Sequence, residues 1–212
     1  MKTLLHTTFY VVVLAAAFSA VQSLGQGSLS ITFDGPPFAP SAGQSFLVQE
    51  YYEADVWFRP IGPVEPGVGF VRTKGGGQFS VPDNSSAYLQ ALGGDSLQFS
   101  FTDDSLFNLI AVDLAEYSMG LPDAVTVLFI GYRGNGSTVT TSFTTDGIID
   151  GTGPLPDFET FYFGNEWTDL MRVEIPTFGW SLDNLVVVIP EPATGALSIV
   201  GGFLLWMGRR RL

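Results

Sequence analysis

The chain of 212 residues has no cysteine, and its one histidine, His6, lies near the amino terminus. A thiol nucleophile and a cysteine-ligated zinc site are therefore excluded. Residues 24–189 contain no histidine either, so neither a Ser-His-Asp triad nor a histidine-ligated zinc or copper site can be assembled there. These absences remove much of the common hydrolase and metalloenzyme machinery.

Basic residues are scarce, since nine of them face 21 acidic residues and the net charge is −12. Residues 24–189 hold twenty of the acidic residues and five of the basic ones, which gives this part a net charge of −15. Such a surface repels nucleic acids and anionic lipids and can gather cations. We therefore expect no nucleic-acid partner.

The first 23 residues have the pattern of a secretory signal peptide. Lys2 supplies positive charge before an apolar stretch, Phe9–Phe18, which is too short to span a membrane comfortably. Val21 and Ser23 are suitable residues at the −3 and −1 positions of a cleavage site. We expect export, with cleavage after Ser23.

A second apolar run, Ala193–Gly208, lies near the carboxyl terminus and has sixteen residues without a charge. As a helix at about 1.5 Å per residue it would measure roughly 24 Å, which a slightly thinned bilayer accommodates. Arg209, Arg210 and Arg211 follow it. Such a basic cluster marks the cytoplasmic side, so the run predicts a transmembrane helix at 193–208 with the preceding residues across the membrane.

The tripeptide Pro190-Glu191-Pro192 directly precedes this helix. The tripeptide, the apolar helix and the basic end, in that order, resemble the PEP-CTERM sorting signal of exopolysaccharide-producing Gram-negative bacteria. The resemblance covers residues 190–212. It implies that an exosortase-type membrane enzyme recognises the Pro-Glu-Pro region and removes the helix. The protein would then be held in the inner membrane first and reach the cell surface or extracellular matrix after processing.

Residues 24–189 have the pattern of an all-β domain, with short apolar runs between turn residues. Ser96–Phe101 and Ser137–Phe143 alternate as half-buried strands do, and Asn135-Gly136 is a typical hairpin turn. Phe107–Leu114 and Ala124–Tyr132 are apolar on both faces and predict central strands. Further strands are predicted at Leu29–Phe33, Asp55–Arg59, Gly69–Arg72, Gln78–Val81, Ala87–Leu92, Phe158–Phe163, Leu170–Ile175 and Leu182–Ile189.

About a dozen short strands without a helical pattern predict a single β-sandwich. We expect its first and last strands to pair. The closing segment, Leu182–Val187, resembles the jelly-roll ectodomains attached to PEP-CTERM tails, which implies a jelly-roll-like sandwich between signal peptide and tail.

Calcium is the metal that this composition favours, because it binds hard oxygen ligands. One candidate structural site combines Asp34 with Asp183 and Asn184, which meet if the terminal strands pair. Another is the loop that holds Asp146 and Asp150. The alternative is that these side chains cap turns at strand ends. No other cofactor is expected.

Aromatic residues are the candidates for carbohydrate binding, since sugar sites use exposed ring faces beside a few polar groups. We single out Tyr51, Tyr52, Trp167 and Trp180 from a set that also includes Trp57 and Tyr132. Adjacent Tyr51 and Tyr52 point to opposite faces of a strand, so one of them can be exposed. The alternative is that these rings belong to the core.

A glycoside hydrolase that works through two carboxylates is the remaining catalytic possibility. The candidates are Asp103, Asp104, Asp113, Glu116, Glu159 and Glu166, and no pattern places two of them across a sugar. The sequence therefore favours a non-enzymatic, exported surface or matrix protein with a structural or interaction role. A carbohydrate-binding module for exopolysaccharide is the first alternative, and a hydrolase is the second.

Overall fold

The computed structural model describes residues 27–36, 40–62, 69–76, 81–91, 96–121 and 123–190. Ser28–Ile189 forms one compact unit, and a second unit, Met1–Gly27 with Pro190–Leu212, is described only at Gly27 and Pro190. The predicted cleavage site, Glu191, Pro192, the helix 193–208 and Arg209–Arg211 lie outside the described residues, so they stay predictions.

Every regular element in the described ranges is a β-strand. None of these residues therefore belongs to a helix of the length and apolarity that crossing a membrane requires. The strands are β1 (Gly27–Ile31), β2 (Ser45–Val48), β3 (Tyr51–Glu53), β4 (Val56–Pro60), β5 (Phe70–Lys74), β6 (Ala87–Ala91), β7 (Leu97–Phe101), β8 (Asn108–Glu116), β9 (Thr126–Arg133), β10 (Thr138–Thr144), β11 (Glu159–Tyr162), β12 (Leu170–Ile175) and β13 (Trp180–Ile189).

These strands form two sheets, and the predicted all-β class is confirmed. The seven-stranded sheet has the order β11-β8-β13-β6-β5-β2, with β1 paired to β13. The six-stranded sheet has the order β10-β9-β12-β7-β4-β3. The predicted pairing of the first and last strands is therefore confirmed.

The strands that alternate most clearly in sequence agree best with the structure. In β7, Leu97, Phe99 and Phe101 are buried and the residues between them are half-buried. The predicted strand Gln78–Val81 falls mainly on residues outside the described ranges. Strand β2 was not predicted, because its Ser-Phe-Leu-Val sequence has no alternation and three of its four residues are exposed.

One core joins the two sheets. The six-stranded sheet contributes buried rings such as Phe58, Phe99 and Phe129, and the seven-stranded sheet contributes Leu114 and Leu182. Along each strand, every second residue points into this core, because successive side chains of a strand point to opposite faces. Burying a side chain of this size stabilises the fold by about 1.5–3 kcal/mol, so this layer holds the sheets together.

The two outer faces differ in how far they are covered. On the seven-stranded sheet, the outward side chains of Tyr88 and Gln90 are buried. The Tyr88 hydroxyl donates to the carbonyl of Pro82 (2.6 Å), and the Gln90 amide donates to the carbonyl of Tyr117 (2.7 Å). Loops therefore cover the middle of that face, whereas the outward side chains of the six-stranded sheet stay partly accessible.

Candidate functional site

The outer face of the six-stranded sheet begins at the hairpin of β3 and β4. Ala54 and Asp55 form its two-residue turn, and both have positive φ (50° and 64°), as a type I′ hairpin turn requires. This turn sets Tyr52 opposite Trp57. Their rings stack with centroids 5.8 Å apart and planes 6° apart, and Tyr52 is 50% exposed. The hairpin thus presents an aromatic pair on the outer face.

Arg59 lies two residues after Trp57 and therefore on the same face. Its guanidinium carbon lies 3.8 Å from the centroid of a Trp57 ring. Arg59 pairs with Gln98 on β7, and Gln98 pairs with Glu174 on β12. The Gln98 amide is held by a hydrogen bond to the carbonyl of Pro60 (2.9 Å). Polar groups thus follow the aromatic pair across successive strands.

A second aromatic group lies at the far side of this row. The Tyr132 hydroxyl on β9 donates to Glu174 (2.7 Å), and this hydrogen bond to a carboxylate raises the pKa of Tyr132. The guanidinium of Arg172 lies 3.8 Å from the centroid of the Tyr132 ring and forms an ion pair with Glu174 (3.2 Å). The three side chains hold one another in place.

We call this surface the aromatic face. It comprises Tyr52, Trp57, Arg59, Gln98, Tyr132, Arg172 and Glu174. Trp57 on β4 and Tyr132 on β9 are three strand steps apart in the sheet order. At about 4.8 Å per step this is roughly 14 Å, long enough for an oligosaccharide rather than a single sugar. The face carries two arginines and one glutamate within a strongly acidic domain.

The structure separates the four aromatic residues that the sequence singled out for sugar binding. Tyr52 is exposed, but Tyr51, Trp167 and Trp180 are at most 2% exposed. The prediction of a sugar-stacking role is wrong for these three, because a buried ring has no face for a ligand. Trp180 donates its indole N–H to the carbonyl of Thr177 (2.8 Å), and Tyr51 donates to Glu53 (2.8 Å).

Sequence reasoning missed most of the aromatic face. Trp57 and Tyr132 were noticed as aromatic residues, but Arg59, Gln98 and Glu174 were not. The alternation of Val56–Pro60 already places Trp57 and Arg59 together on one face of β4. The order of β4, β7, β12 and β9 in the sheet places Gln98, Glu174 and Tyr132 beside these two residues. The sequence of a single strand does not reveal which strands are its neighbours.

The predicted calcium ligands at the terminal strands have protein partners instead. Asp183 accepts hydrogen bonds from the Asn84 amide (2.5 Å), the Ser86 hydroxyl (2.6 Å) and the backbone N–H of Asn184 (2.7 Å). Asp34 accepts one from the backbone N–H of Ala87 (3.0 Å). Donors thus contact both oxygens of Asp183, and two of them are side chains from distant parts of the chain rather than backbone groups of its own turn.

Asn184 itself forms part of a β-bulge. Its φ is 46°, and the register of β13 against β8 shifts between Asp183 and Val186. Asparagine tolerates this left-handed conformation better than most residues do. Its side-chain amide donates to Asp113 (2.8 Å), so it too has a local structural partner.

The structure brings Glu116 and Glu159, both considered for hydrolysis, into one acidic cluster. Glu116 and Glu159 lie close to each other and to Asp146. Glu116 is 0% exposed, so it has no access to a glycosidic bond. Asp103 accepts two hydrogen bonds from Ser105 within its own turn (3.0 and 2.8 Å). The pair of Glu116 and Glu159 therefore does not present two accessible carboxylates to a sugar.

No protein-family model matches the chain, and no curated protein matches it. Two solved structures of family 11 carbohydrate-binding modules from Clostridium thermocellum are similar to parts of it, one from a cellulosomal cellulase and one in complex with a β-1,3-1,4-mixed-linked tetrasaccharide. Both share 11% identity, with TM-scores of 0.28 and 0.30, and the matches cover 80% and 78% of this chain and 96% of each module. TM-scores this low assign neither a fold family nor a function to this chain.

Proposed function

We propose that this chain is a non-catalytic protein that binds polysaccharide through the aromatic face. The observation that carries the proposal is the exposed Tyr52 ring, stacked on Trp57 at one end of a row of hydrogen-bonding side chains. A sugar ring has apolar C–H groups on its faces and hydroxyl groups around its edge. An aromatic ring packs against the faces of the sugar, and polar side chains form hydrogen bonds with the hydroxyl groups at its edge.

The polar side chains are suited to this task because their partners hold them in place. Gln98 is tied to the carbonyl of Pro60, and Glu174 is tied to Tyr132 and Arg172. A side chain that is already ordered loses little rotamer freedom when a ligand binds. Gln98 offers both donor and acceptor groups, which suits sugar hydroxyls.

The test is affinity electrophoresis of the protein through gels that contain soluble neutral or acidic polysaccharides. We expect retardation by at least one of them. Tyr52→Ala and Trp57→Ala should each weaken binding tenfold or more, because either change removes one ring of the stacked pair. Isothermal titration with oligosaccharides of that polysaccharide then measures the loss.

Tyr162→Ala is the matched control. Tyr162 is 73% exposed on β11 of the other sheet, so the same substitution removes an accessible ring away from the aromatic face. It should leave binding unchanged. Equal losses in Tyr52→Ala and Tyr162→Ala would contradict the assignment of binding to the aromatic face, and no retardation by any polysaccharide tested would contradict the function itself.

The proposal includes the place where the protein acts. Export by the predicted signal peptide, followed by sorting through the PEP-CTERM-like tail, would bring a jelly-roll-like polysaccharide binder to the cell surface or extracellular matrix. This part rests on the sequence pattern of residues 1–23 and 190–212 alone.

A further inference from the structure

We propose that Glu116, Asp146 and Glu159 form a calcium site that joins the two sheets. Each residue offers one carboxylate oxygen, and these oxygens lie within 4.8 Å of one another. Two oxygens that bind the same Ca²⁺ at ~2.4 Å are at most ~4.8 Å apart, and every pair in this cluster meets that condition. The site is separate from the aromatic face and does not depend on the proposed function.

The carboxylate of Glu116 supplies an independent observation. The residue is 0% exposed, and its Oε2 atom is buried without a hydrogen-bond partner among the described residues. Its Oε1 atom accepts from the backbone N–H of Gly147 (2.7 Å) and from the hydroxyl of Thr145. A buried oxygen without a partner is costly, and a bound cation in the cluster would satisfy it.

The cluster also lacks a positive side chain. All five basic residues of 27–190 lie in the described ranges, and the ion pair found there joins Arg172 to Glu174. No lysine or arginine in that part of the chain pairs with Glu116, Asp146 or Glu159. Three neighbouring carboxylates without a protein countercharge repel one another, and a divalent cation removes this repulsion.

The elements that meet here explain what the ion would do. Glu116 ends β8, Glu159 begins β11, and Asp146 lies in the loop that follows β10. Strands β8 and β11 belong to the seven-stranded sheet, and β10 is the edge strand of the six-stranded sheet. The loop already binds Glu159 through the backbone N–H of Asp146 (2.7 Å). A calcium ion would tie this loop, which continues from the six-stranded sheet, to the seven-stranded sheet.

The sequence alone placed Asp146 with Asp150 rather than with the two glutamates. Asp150 is not one of the three residues whose oxygens lie within 4.8 Å of one another. Its Oδ2 atom accepts from the backbone N–H of Leu155 (3.1 Å), and its Oδ1 atom is buried without a hydrogen-bond partner among the described residues. Glu116 lies thirty residues before Asp146 in the chain, so only the packing of β8 against the loop shows their proximity. Calcium is favoured over magnesium because it accepts irregular sets of oxygen ligands.

The experiment uses the full-length protein in detergent, treated with EDTA and dialysed. Titration with CaCl2 should give binding of one ion, and the melting temperature should rise with CaCl2 concentration as mass action requires. Glu159→Gln and Asp146→Asn should each weaken calcium binding at least tenfold. Both positions are less buried than Glu116, so these variants should fold even if Glu116→Gln does not.

Two controls locate the site. Glu166→Gln changes an exposed glutamate outside the cluster, and Asp183→Asn changes the ligand that the sequence had suggested. Both should keep the affinity of the parent for calcium. The proposal is overturned if millimolar CaCl2 gives neither heat nor a shift in melting temperature, or if Glu159→Gln and Glu166→Gln bind calcium equally well. An equal response to MgCl2 would overturn the assignment to calcium.

Discussion

At the scale of single residues, one step along a strand decides whether an aromatic ring belongs to the core or to the surface. Tyr51 and Tyr52 are neighbours, yet Tyr51 is buried against Phe33 and Phe58 and Tyr52 is exposed on Trp57. The alternation of side chains along β3 accounts for the difference. Two adjacent tyrosines thus have different roles, one in the core and one on the surface.

Asp183 leads to a prediction about pH. Burial raises the pKa of this carboxyl from 3.8 to about 7, even though three hydrogen bonds favour its charged form. Between these two pH values the folded protein binds more protons than the unfolded chain. The stability that Asp183 contributes is therefore complete below about pH 4, falls as the pH rises towards 7, and then stays constant.

Asp183→Asn removes this titration. We expect the free energy of unfolding of the parent, minus that of Asp183→Asn, to fall between pH 4 and pH 7 with a slope of up to ~1.4 kcal/mol per pH unit. Urea denaturation at several pH values across this window measures the slope. Parallel curves for the two proteins would show that Asp183 does not titrate there.

At the scale of elements, the hairpin of β3 and β4 determines the geometry of the aromatic face. Its turn places Ala54 at a φ of 50° and Asp55 at 64°, in a region that glycine and asparagine adopt more easily than alanine does. The left-handed conformation costs an L-residue such as Ala54 roughly 1–2 kcal/mol. The hairpin therefore keeps Tyr52 opposite Trp57 at some expense of stability.

Ala54→Gly should relieve this strain and stabilise the protein by ~1 kcal/mol, because Ala54 is exposed and loses no packing. Polysaccharide binding should stay unchanged, since neither ring is altered. Thermal and urea unfolding measure the gain. Ala124→Gly is the control: Ala124 is also exposed but is not among the described residues with positive φ. There glycine should be neutral or destabilising, and an equal gain at both positions would refute the strain argument.

At the scale of the whole molecule, the proposal joins a polysaccharide-binding sandwich to a sorting tail. The sandwich has a covered face on the seven-stranded sheet and an accessible aromatic face on the six-stranded sheet. The proposed calcium site at Glu116, Asp146 and Glu159 would tie the loop after β10 to the seven-stranded sheet. A net charge of −15 over residues 24–189 suits an exported protein, because it favours solubility.

Glu191→Gln tests the sorting part of the proposal. From the sequence we expect an extended segment at Glu191, because Pro190 and Pro192 restrict the backbone, and we propose that a membrane enzyme holds this segment. If the enzyme reads the carboxylate, Glu191→Gln should be exported and inserted normally but remain in the membrane fraction at its unprocessed mass. Fractionation and mass spectrometry of native cells provide the measurement. Processing equal to that of the parent would show that the carboxylate is not read.

The sequence by itself determined the all-β class and the places of most strands, because the period-two burial of segments such as Ser96–Phe101 depends on local side-chain direction. The absence of cysteine, together with the position of His6, also excluded whole classes of site without any structure. Turn chemistry was equally local: Asn135-Gly136 predicts the hairpin of β9 and β10, and Gly136 indeed has a φ of 83°.

Only the tertiary structure decided which residues meet. The row from Trp57 to Tyr132 exists because β7 and β12 lie between β4 and β9, although these strands are far apart in the chain. Glu116, Asp146 and Glu159 meet in the same way across three elements. Packing also decided that Trp167 and Trp180 are buried. A tryptophan ring is compatible with either a core or a surface position, so its sequence alone does not show which one it occupies.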